Sequence, residues 1–356
     1  MNYALGFILA AGLSAFITPI VRRFALEHNI LALPGDRKIH LKPVPYLGGV
    51  AIFIGFLIPA LLLLPHDRRF LSLIFGIFIL VFVGVVDDIK SLNPWKKLIW
   101  QIIAAMVVLS GGIGITSISN PFGNTIILNY GRFWVHWRFL SFHISPIGNT
   151  LSLIWMVGLV NAINFLDGLD GLACGVSAIA GLVMFLLSIG PKVNQPVVAM
   201  LAIIMTGAAL GFLPYNFYPA KIFMGDGGAY FLGMTLALLA IYSGGKLATA
   251  GLVLGFTIFD TIWAAVRRIY HRSSPFKADK GHLHHLMLEA GFSQRSAVIT
   301  LYAVALLFGL VAIRTGSFGK IIALIVLFIL MVSFTAFLTV NSWLKTRRLD
   351  NGNRTV

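Results

Sequence analysis

The sequence predicts an all-α integral membrane protein with about eleven transmembrane helices, forming a single domain over residues 1–356. Three observations carry this prediction. Of 356 residues, 58% are hydrophobic and only 11% charged, against roughly 25% charged in soluble domains. Mean hydropathy is +0.90. The apolar residues also gather into runs approaching the ~20 needed to cross a bilayer. A soluble fold of this composition would carry too apolar a surface to stay dispersed. A soluble enzyme, a disordered tail and a nucleic-acid-binding module are therefore excluded, despite the net charge of +15. The one cysteine, Cys174, excludes a disulfide framework, a Cys-ligated zinc site and an iron–sulfur cluster.

The candidate spans are 3–21, 46–64, 70–86, 98–118, 148–166, 171–190, 196–213, 228–243, 247–266, 297–313 and 321–344. The first has no basic residues before it, and Arg22-Arg23 follow it. It reads as a true span with the N-terminus outside, not as a signal peptide. Eleven spans place the termini on opposite faces. One face carries segments 22–45, 87–97, 167–170, 214–227, 267–296 and 345–356, with 19 Lys and Arg; the other carries 8. Positive charge marks the cytoplasmic side, so the 19-rich face and the C-terminus are inside. Of twelve acidic residues, only Asp67 falls on the outer face. Carboxylates are costly near hydrocarbon, and gathering them at one surface points to a polar site there, of a kind that can hold a metal. The longest outer segment, 119–147, has Asn129-Tyr130-Gly131 between two β-rich triplets. That pattern predicts a hairpin near 124–136.

Five polar constellations fall in the inner segments. Asp87-Asp88 ends the third span, with Lys90, Lys96 and Lys97 following. Adjacent carboxylates repel and call for a cation or basic neighbours; a solvated helix end balanced by lysines is the alternative. Asn161, Asn164, Asp167 and Asp170 crowd the turn between spans five and six, with Gly168 and Gly171 permitting close approach. Asn216, Phe223 and Asp226 lie in the next inner loop, with Asp226 between glycines at a helix start. That position favours anions, and an Asp there can hold Mg²⁺ against a diphosphate. Phe223 is either a stacking ring for a base or an interfacial anchor. The fourth constellation is Asp279-Lys280-Gly281-His282-Leu283-His284-His285, near Arg267 and Arg268. Without a zinc-type pattern, its histidines and arginines suit phosphate oxygens. The fifth is the basic, proline-braced segment Asp36 to His40, then Pro43, Pro45 and Gly48-Gly49. All five share a face that was assigned from Lys and Arg alone. Span interiors are almost free of charge, Asp260 being the main exception. A transporter would place such groups near the bilayer midplane, so diphosphate chemistry at the membrane surface is the better reading.

In order and on one face, Asp87-Asp88, Asn161 to Leu172, Pro219 to Gly227 and His282 to His285 resemble the polyprenyl-phosphate N-acetylhexosamine-1-phosphate transferase family. The resemblance runs from residue 34 to about 296. It implies eleven spans, a cytoplasmic Mg²⁺-dependent site (Mn²⁺ as substitute), and transfer of a sugar-1-phosphate from a UDP-sugar to undecaprenyl or another polyprenyl phosphate, with UMP released. A homodimer is also an expectation from related enzymes. The His-x-His-His loop and Asp36 to His40 are similar to the branch that uses UDP-GlcNAc to begin envelope polysaccharides. The branch using the muramoyl-pentapeptide donor typically shows a His-His-His run, and it has Thr where Leu166 stands here. The resemblance makes Asp226 the metal ligand. Asp87 orients or deprotonates the lipid phosphate, and Asp88 supports it or the metal. Asp167 and Asp170, with Asn161, Asn164 and Asn216, hold the metal–nucleotide assembly. Lys97, heading a Lys-x-x-x-Gln pattern to Gln101, contacts phosphate; Arg267, Arg268, His282, His284 and His285 contact the diphosphate or the sugar. A covalent Asp intermediate is left open.

Overall fold

The computed structural model describes residues 1–34, 42–118, 120, 123, 125–128, 133–137, 140–191, 193–243, 247–270 and 281–352, the side chains of 133–137, 140–144 and 341–352 excepted. The segments Asp36 to His40 and Asp279-Lys280, and the turn at Asn129 to Gly131, lie outside the described residues.

Each expected span is mainly helical, except that the run 98–118 leaves the helix after Ser110 and ends in a strand at Ser117–Ile118. In chain order the helices are α1 (Tyr3–Glu27), α2 (Gly48–Leu63), α3 (Arg68–Lys90), α4 (Pro94–Ser110), α5 (Pro146–Leu166), α6 (Leu172–Ile189), α7 (Pro196–Asn216), α8 (Gly225–Tyr242), α9 (Leu247–Val253), α10 (Gly255–Tyr270), α11 (Leu283–Glu289), α12 (Gln294–Arg314) and α13 (Ser317–Gly352). Seven of them (α1, α3, α5, α6, α7, α12 and α13) are long and apolar enough to cross a bilayer. An eighth crossing is available if α9 and α10, bent by 82° about their junction, form one broken span. Helix α2, at 16 residues, spans about 24 Å by the 1.5 Å rise per residue, short of a full hydrocarbon core.

Helix starts follow local chemistry. The Asp67 carboxylate accepts from the Phe70 amide at 2.8 Å, and the Asn93 side chain accepts from the Trp95 amide at 3.0 Å. Pro94, Pro146 and Pro196 each stand in the first turn of their helix, where a missing N–H costs nothing.

Small residues fix how the helices meet. Lipid gives no hydrophobic drive between helices, so close van der Waals approach has to supply it. Helix α8 is the hub, buried along nearly its whole length. A methyl group on Gly84 of α3 would stand 2.3 Å from Gly227 Cα, and one on Gly49 of α2 would stand 2.1 Å from the Gly228 amide. On the α5 side, a methyl on Gly233 would stand 2.7 Å from Val160 Cα. Three helices thus touch α8 backbone to backbone, two of them at its first turn.

Short antiparallel strands complete the fold: β1 (Leu31–Ala32) with β2 (Val44–Pro45), β3 (Ser117–Ile118) with β4 (Ile126–Ile127), and β5 (Phe133–Trp137) with β6 (Leu140–Ile144). The hairpin expected around Asn129 to Gly131 is replaced by other pairings. Ile126–Ile127 pairs back to Ser117–Ile118, while Phe133 to Trp137 pairs forward in the register Phe133↔Ile144 to Trp137↔Leu140. Both partners in the second pairing are five-residue, β-rich runs, and the two-residue link between them is the commonest hairpin connection.

Candidate active site

Antiparallel succession brings the C-terminal ends of α3, α5 and α7 to the N-terminal ends of α4 and α8, and the polar groups meet there. Lys97, in the first turn of α4, places its ammonium 2.5 Å from Asp87 Oδ2 and 3.1 Å from Asp226 Oδ2. Asn164, near the end of α5, donates to Asp226 Oδ1 at 2.9 Å. Tyr230, one turn along α8, donates its hydroxyl to Asp226 Oδ2 at 3.0 Å. Asp87 Oδ1 accepts from the Leu92 amide. Asp88 Oδ1 accepts from the Asp226 amide at 2.9 Å, so the first turn of α8 is bound to the last turn of α3. Its other oxygen, Asp88 Oδ2, is buried without a hydrogen-bond partner among the described residues. Gly225 adopts φ +67°, and a side chain there would collide with the Asp88 carboxylate. This explains why a glycine precedes Asp226.

A second tier braces the first. Asn161 and Gln101 exchange side-chain amide hydrogen bonds at 2.7 and 3.3 Å, one turn from Asn164 and Lys97 on their respective helices. Asn216 donates to the Ile222 carbonyl at 3.1 Å, and Asp170 accepts from the Ala220 amide at 2.9 Å. These two shape the 217–224 loop from below. The same loop docks on the chain leading into α2: the Phe223 amide donates to the Pro45 carbonyl, and the Gly48 and Gly49 amides donate to the carbonyls of Phe223 and Met224. The rings of Phe223 and Tyr46 lie tilted against each other at 54°, centroids 6.0 Å apart.

The basic residues form a separate cluster, joined to the first through α5. Arg267, at the end of α10, donates to the Gly281 carbonyl at 3.0 Å. The guanidinium of Arg268 lies 3.4 Å from His282 Nε2 and 5.9 Å from the centre of the Phe165 ring. The rings of His282 and His284 stack at 5.8 Å, and His285 lies 4.4 Å beyond His284. His284 packs on Gly168, where a methyl group would stand 2.2 Å from its Nε2. Neighbouring residues of α5 thus serve the two clusters: Asn164 faces Asp226, and Phe165 faces His282. Burial, then His285 and His282, hold the His284 ring well below the usual imidazole range, so it is neutral. Asp167, between the clusters, is pushed up to about 8 by burial, then by the charges of Asp226 and Asp170.

The structure therefore gathers Asp87, Asp88, Lys97, Asn164 and Asp226 directly. It places Asn161, Asn216 and Asp170 as braces, and assembles Arg267, Arg268, His282, His284 and His285 alongside. Three participants were not singled out as site residues from sequence. Tyr230 could have been found from its i, i+4 spacing to Asp226. Tyr46 carries no local signal, and Asp260 stood out only as a carboxylate within a span. Among the described residues, no group of three or more His, Cys, Asp or Glu side chains has the arrangement of a metal centre. The carboxylate oxygens around Asp226 suit a different mode, in which Mg²⁺ takes one or two carboxylates and completes its shell with phosphate and water.

Apolar helices thus bring carboxylates, a lysine and a histidine–arginine cluster to one end of the bundle. Residues 70–244 match the glycosyl transferase family 4 model. The chain is 34% identical over 340 residues to a probable undecaprenyl-phosphate N-acetylglucosaminyl 1-phosphate transferase of Bacillus subtilis, covering 93% of this chain and 90% of that protein. It is 32% identical to a decaprenyl-phosphate N-acetylglucosaminephosphotransferase of Mycolicibacterium smegmatis, covering 83% and 77%. It is 27% identical to an undecaprenyl-phosphate alpha-N-acetylglucosaminyl 1-phosphate transferase of Thermotoga maritima, covering 85% and 87%. The chain belongs to glycosyl transferase family 4.

Proposed function

We propose that this protein transfers N-acetylglucosamine-1-phosphate from UDP-GlcNAc to undecaprenyl or another polyprenyl phosphate, releasing UMP and starting a cell-envelope polysaccharide. The observation that carries this reading is the convergence of Lys97, Asp87, Asn164 and Asp226 at one end of the bundle. In the reaction, an acceptor phosphate oxygen attacks the β-phosphorus of the UDP-sugar. A new P–O bond forms as the bond to UMP breaks. A phosphate monoester is already mostly dianionic at pH 7, so bringing two anions into line matters more than removing a proton. Lys97 supplies a cation to the incoming phosphate, and Asp87 holds that lysine in place. Arg267, Arg268 and the histidines of 282–285 take the diphosphate and the sugar. Phe223 and Tyr46 offer rings for the base.

The carboxylates fit a divalent cation: Asp226 is the ligand, and the unpartnered, buried Asp88 Oδ2 stands next to its backbone. When bound, Mg²⁺ (or Mn²⁺) would neutralise diphosphate charge and stabilise the leaving UMP. An apolar groove of about 560 Å³ between α5, the α9–α10 bend and α13 is lined by Trp155, Phe259, Ile262, Trp263, Leu327 and Phe328. Its lining is almost wholly apolar and includes Val266, which suits a prenyl chain.

This reading includes eleven membrane crossings in a bacterial inner membrane, with the N-terminus outside and the site facing the cytoplasm. Impermeant cysteine labelling in a Cys174→Ala background should reach position 129 but not 280 on intact cells; the reverse pattern overturns the topology. The reaction is tested with purified protein, polyprenyl phosphate, Mg²⁺ and a panel of UDP-sugars, with UMP release as the measurement. Efficient release is expected with UDP-GlcNAc. UDP-glucose should be rejected by up to ~10⁴-fold, because polar groups built for the N-acetyl arm would be left unpaired. Preference for the muramoyl-pentapeptide donor would refute the branch while keeping the reaction class. No UMP release with any donor would refute the reaction class.

A further inference from the structure

Asp260 is a carboxylate on α10, five residues past the 82° bend. A carboxylate in such a position needs partners, because burial without them is costly. The structure supplies two. Asp260 Oδ2 lies 2.8 Å from His282 Nδ1, and Asp260 Oδ1 accepts from the Leu283 amide, also at 2.8 Å. Both side chains are largely withdrawn from solvent, at 13% exposure for Asp260 and 8% for His282. One carboxylate therefore grips both the ring of His282 and the backbone at the start of α11.

An ionised carboxylate only accepts hydrogen bonds, so the proton between the pair belongs to His282 Nδ1. That fixes the ring's rotation and sends Nε2 the other way, toward the Arg268 guanidinium at 3.4 Å. On its flanks the ring is held by Phe165, 5.7 Å away, and by the parallel ring of His284. The order Asp260–His282–Arg268 runs from a membrane helix to the edge of the site. We propose that Asp260 is a positioning residue for the sugar-1-phosphate transfer: it sets the tautomer and orientation of His282, and through it the direction of Arg268 toward the anionic donor. This rests on the reaction proposed above. Carboxylates behind a working imidazole hold its tautomer in the same way in other enzymes.

Asp260→Asn keeps the side chain's shape but removes the strict acceptor, since its amide can donate as well as accept. With UMP release as the assay, kcat should fall by about 10- to 100-fold, the usual cost of losing such a partner. KM for UDP-GlcNAc should stay within about threefold and the detergent melting temperature should be unchanged. In a His282→Gln background the same substitution should cost nothing further. Losses that multiply in the double variant, or an Asp260→Asn enzyme within twofold of wild type, would overturn the proposal. Diethyl pyrocarbonate labelling of His282, followed by mass spectrometry, reads the pair without turnover. Labelling should quicken in Asp260→Asn, and an unchanged rate counts against the pair. If the wild type releases no UMP from any donor, the reaction has failed, and the labelling alone decides whether Asp260 holds the ring.

Discussion

The acidic half of the site and the basic half are built in opposite ways. Asp87, Asp88, Lys97, Asn164 and Asp226 sit in terminal turns of long helices, held by backbone contact between α3, α2 and α8 at Gly84, Gly49, Gly227 and Gly228. Their places are decided when the bundle packs, and no side chain can yield there. Arg267, Arg268 and His282 to His285 sit instead on a helix beyond a sharp bend and on the seven-residue α11. They are tied by hydrogen bonds to Asp260 and Gly281 and by ring stacking. Main-chain packing sets the helices that carry Asp87, Asp88 and Asp226, and side-chain bonds join Lys97 and Asn164 to them; the basic half rests on side-chain bonds and ring stacking. The acidic half should therefore fail completely when it is touched, and the basic half by degrees.

The most severe break is at Asp226. It accepts from Lys97, Asn164 and Tyr230 and is the proposed metal ligand. Asp226→Asn should lower UMP release by about 10³-fold, the scale on which losing one preorganised charge at a transition state registers. The protein should remain folded in detergent. Near-normal turnover at saturating Mg²⁺ would take Asp226 out of the metal's coordination.

Next comes the packing beneath it. Gly84→Ala sets a methyl group against Gly227 Cα, so backbone must move, and overpacking of this kind costs roughly 1–3 kcal/mol. Gly158→Ala on α5 is the control, because nothing lies within 4 Å of the added carbon. Thermal melts in detergent should show several degrees lost for Gly84→Ala and none for Gly158→Ala, with kcat falling only in the former. Equal melting temperatures would mean that main-chain contact does not fix the acidic half.

The same contrast explains what could be read from sequence. The acidic half was legible because its carboxylates gather where apolar runs begin or end, all on the face that the Lys and Arg counts mark as inside. Asp226 stood out by its flanking glycines and Asp87-Asp88 by adjacency. The roles within it were less visible. Asp170 and Asn216 read as ligands in one dimension; in three dimensions each also bonds the main chain of the 217–224 loop. The basic half was legible only as composition. Asp260 lies 22 residues before His282, and nothing in a helix-to-loop spacing of that size says that the two touch. The outer hairpin failed for a related reason: Asn129-Tyr130-Gly131 is a good turn signal, but a longer β-rich run further on offered Phe133 to Trp137 a better partner.

The smallest effect separates the halves by pH. His284 is buried against Gly168, and its ring is held well below the imidazole range by burial, then by His285 and His282. Its unfolded counterpart titrates near 6.5. Above that pH the ring is neutral in both states, and this group makes stability neither rise nor fall. Below it the unfolded chain takes up a proton that the folded ring refuses. The unfolded state then binds more protons, and stability falls as the pH drops, by at most about 1.4 kcal/mol per unit. His284 therefore contributes a decline in melting temperature from pH 7 to 5.5, opposed over the same range by Asp167, whose carboxyl is pushed up to about 8 and keeps its proton in the folded state. His284→Gln, which carries no titrating ring, should flatten that decline while costing a little stability at pH 7. An identical pH slope in the variant would show that acid sensitivity arises elsewhere. A flattened slope with kcat at pH 7.5 held within a fewfold would place His284 as a packing element of the basic half, whose graded failure is what distinguishes it from the acidic one.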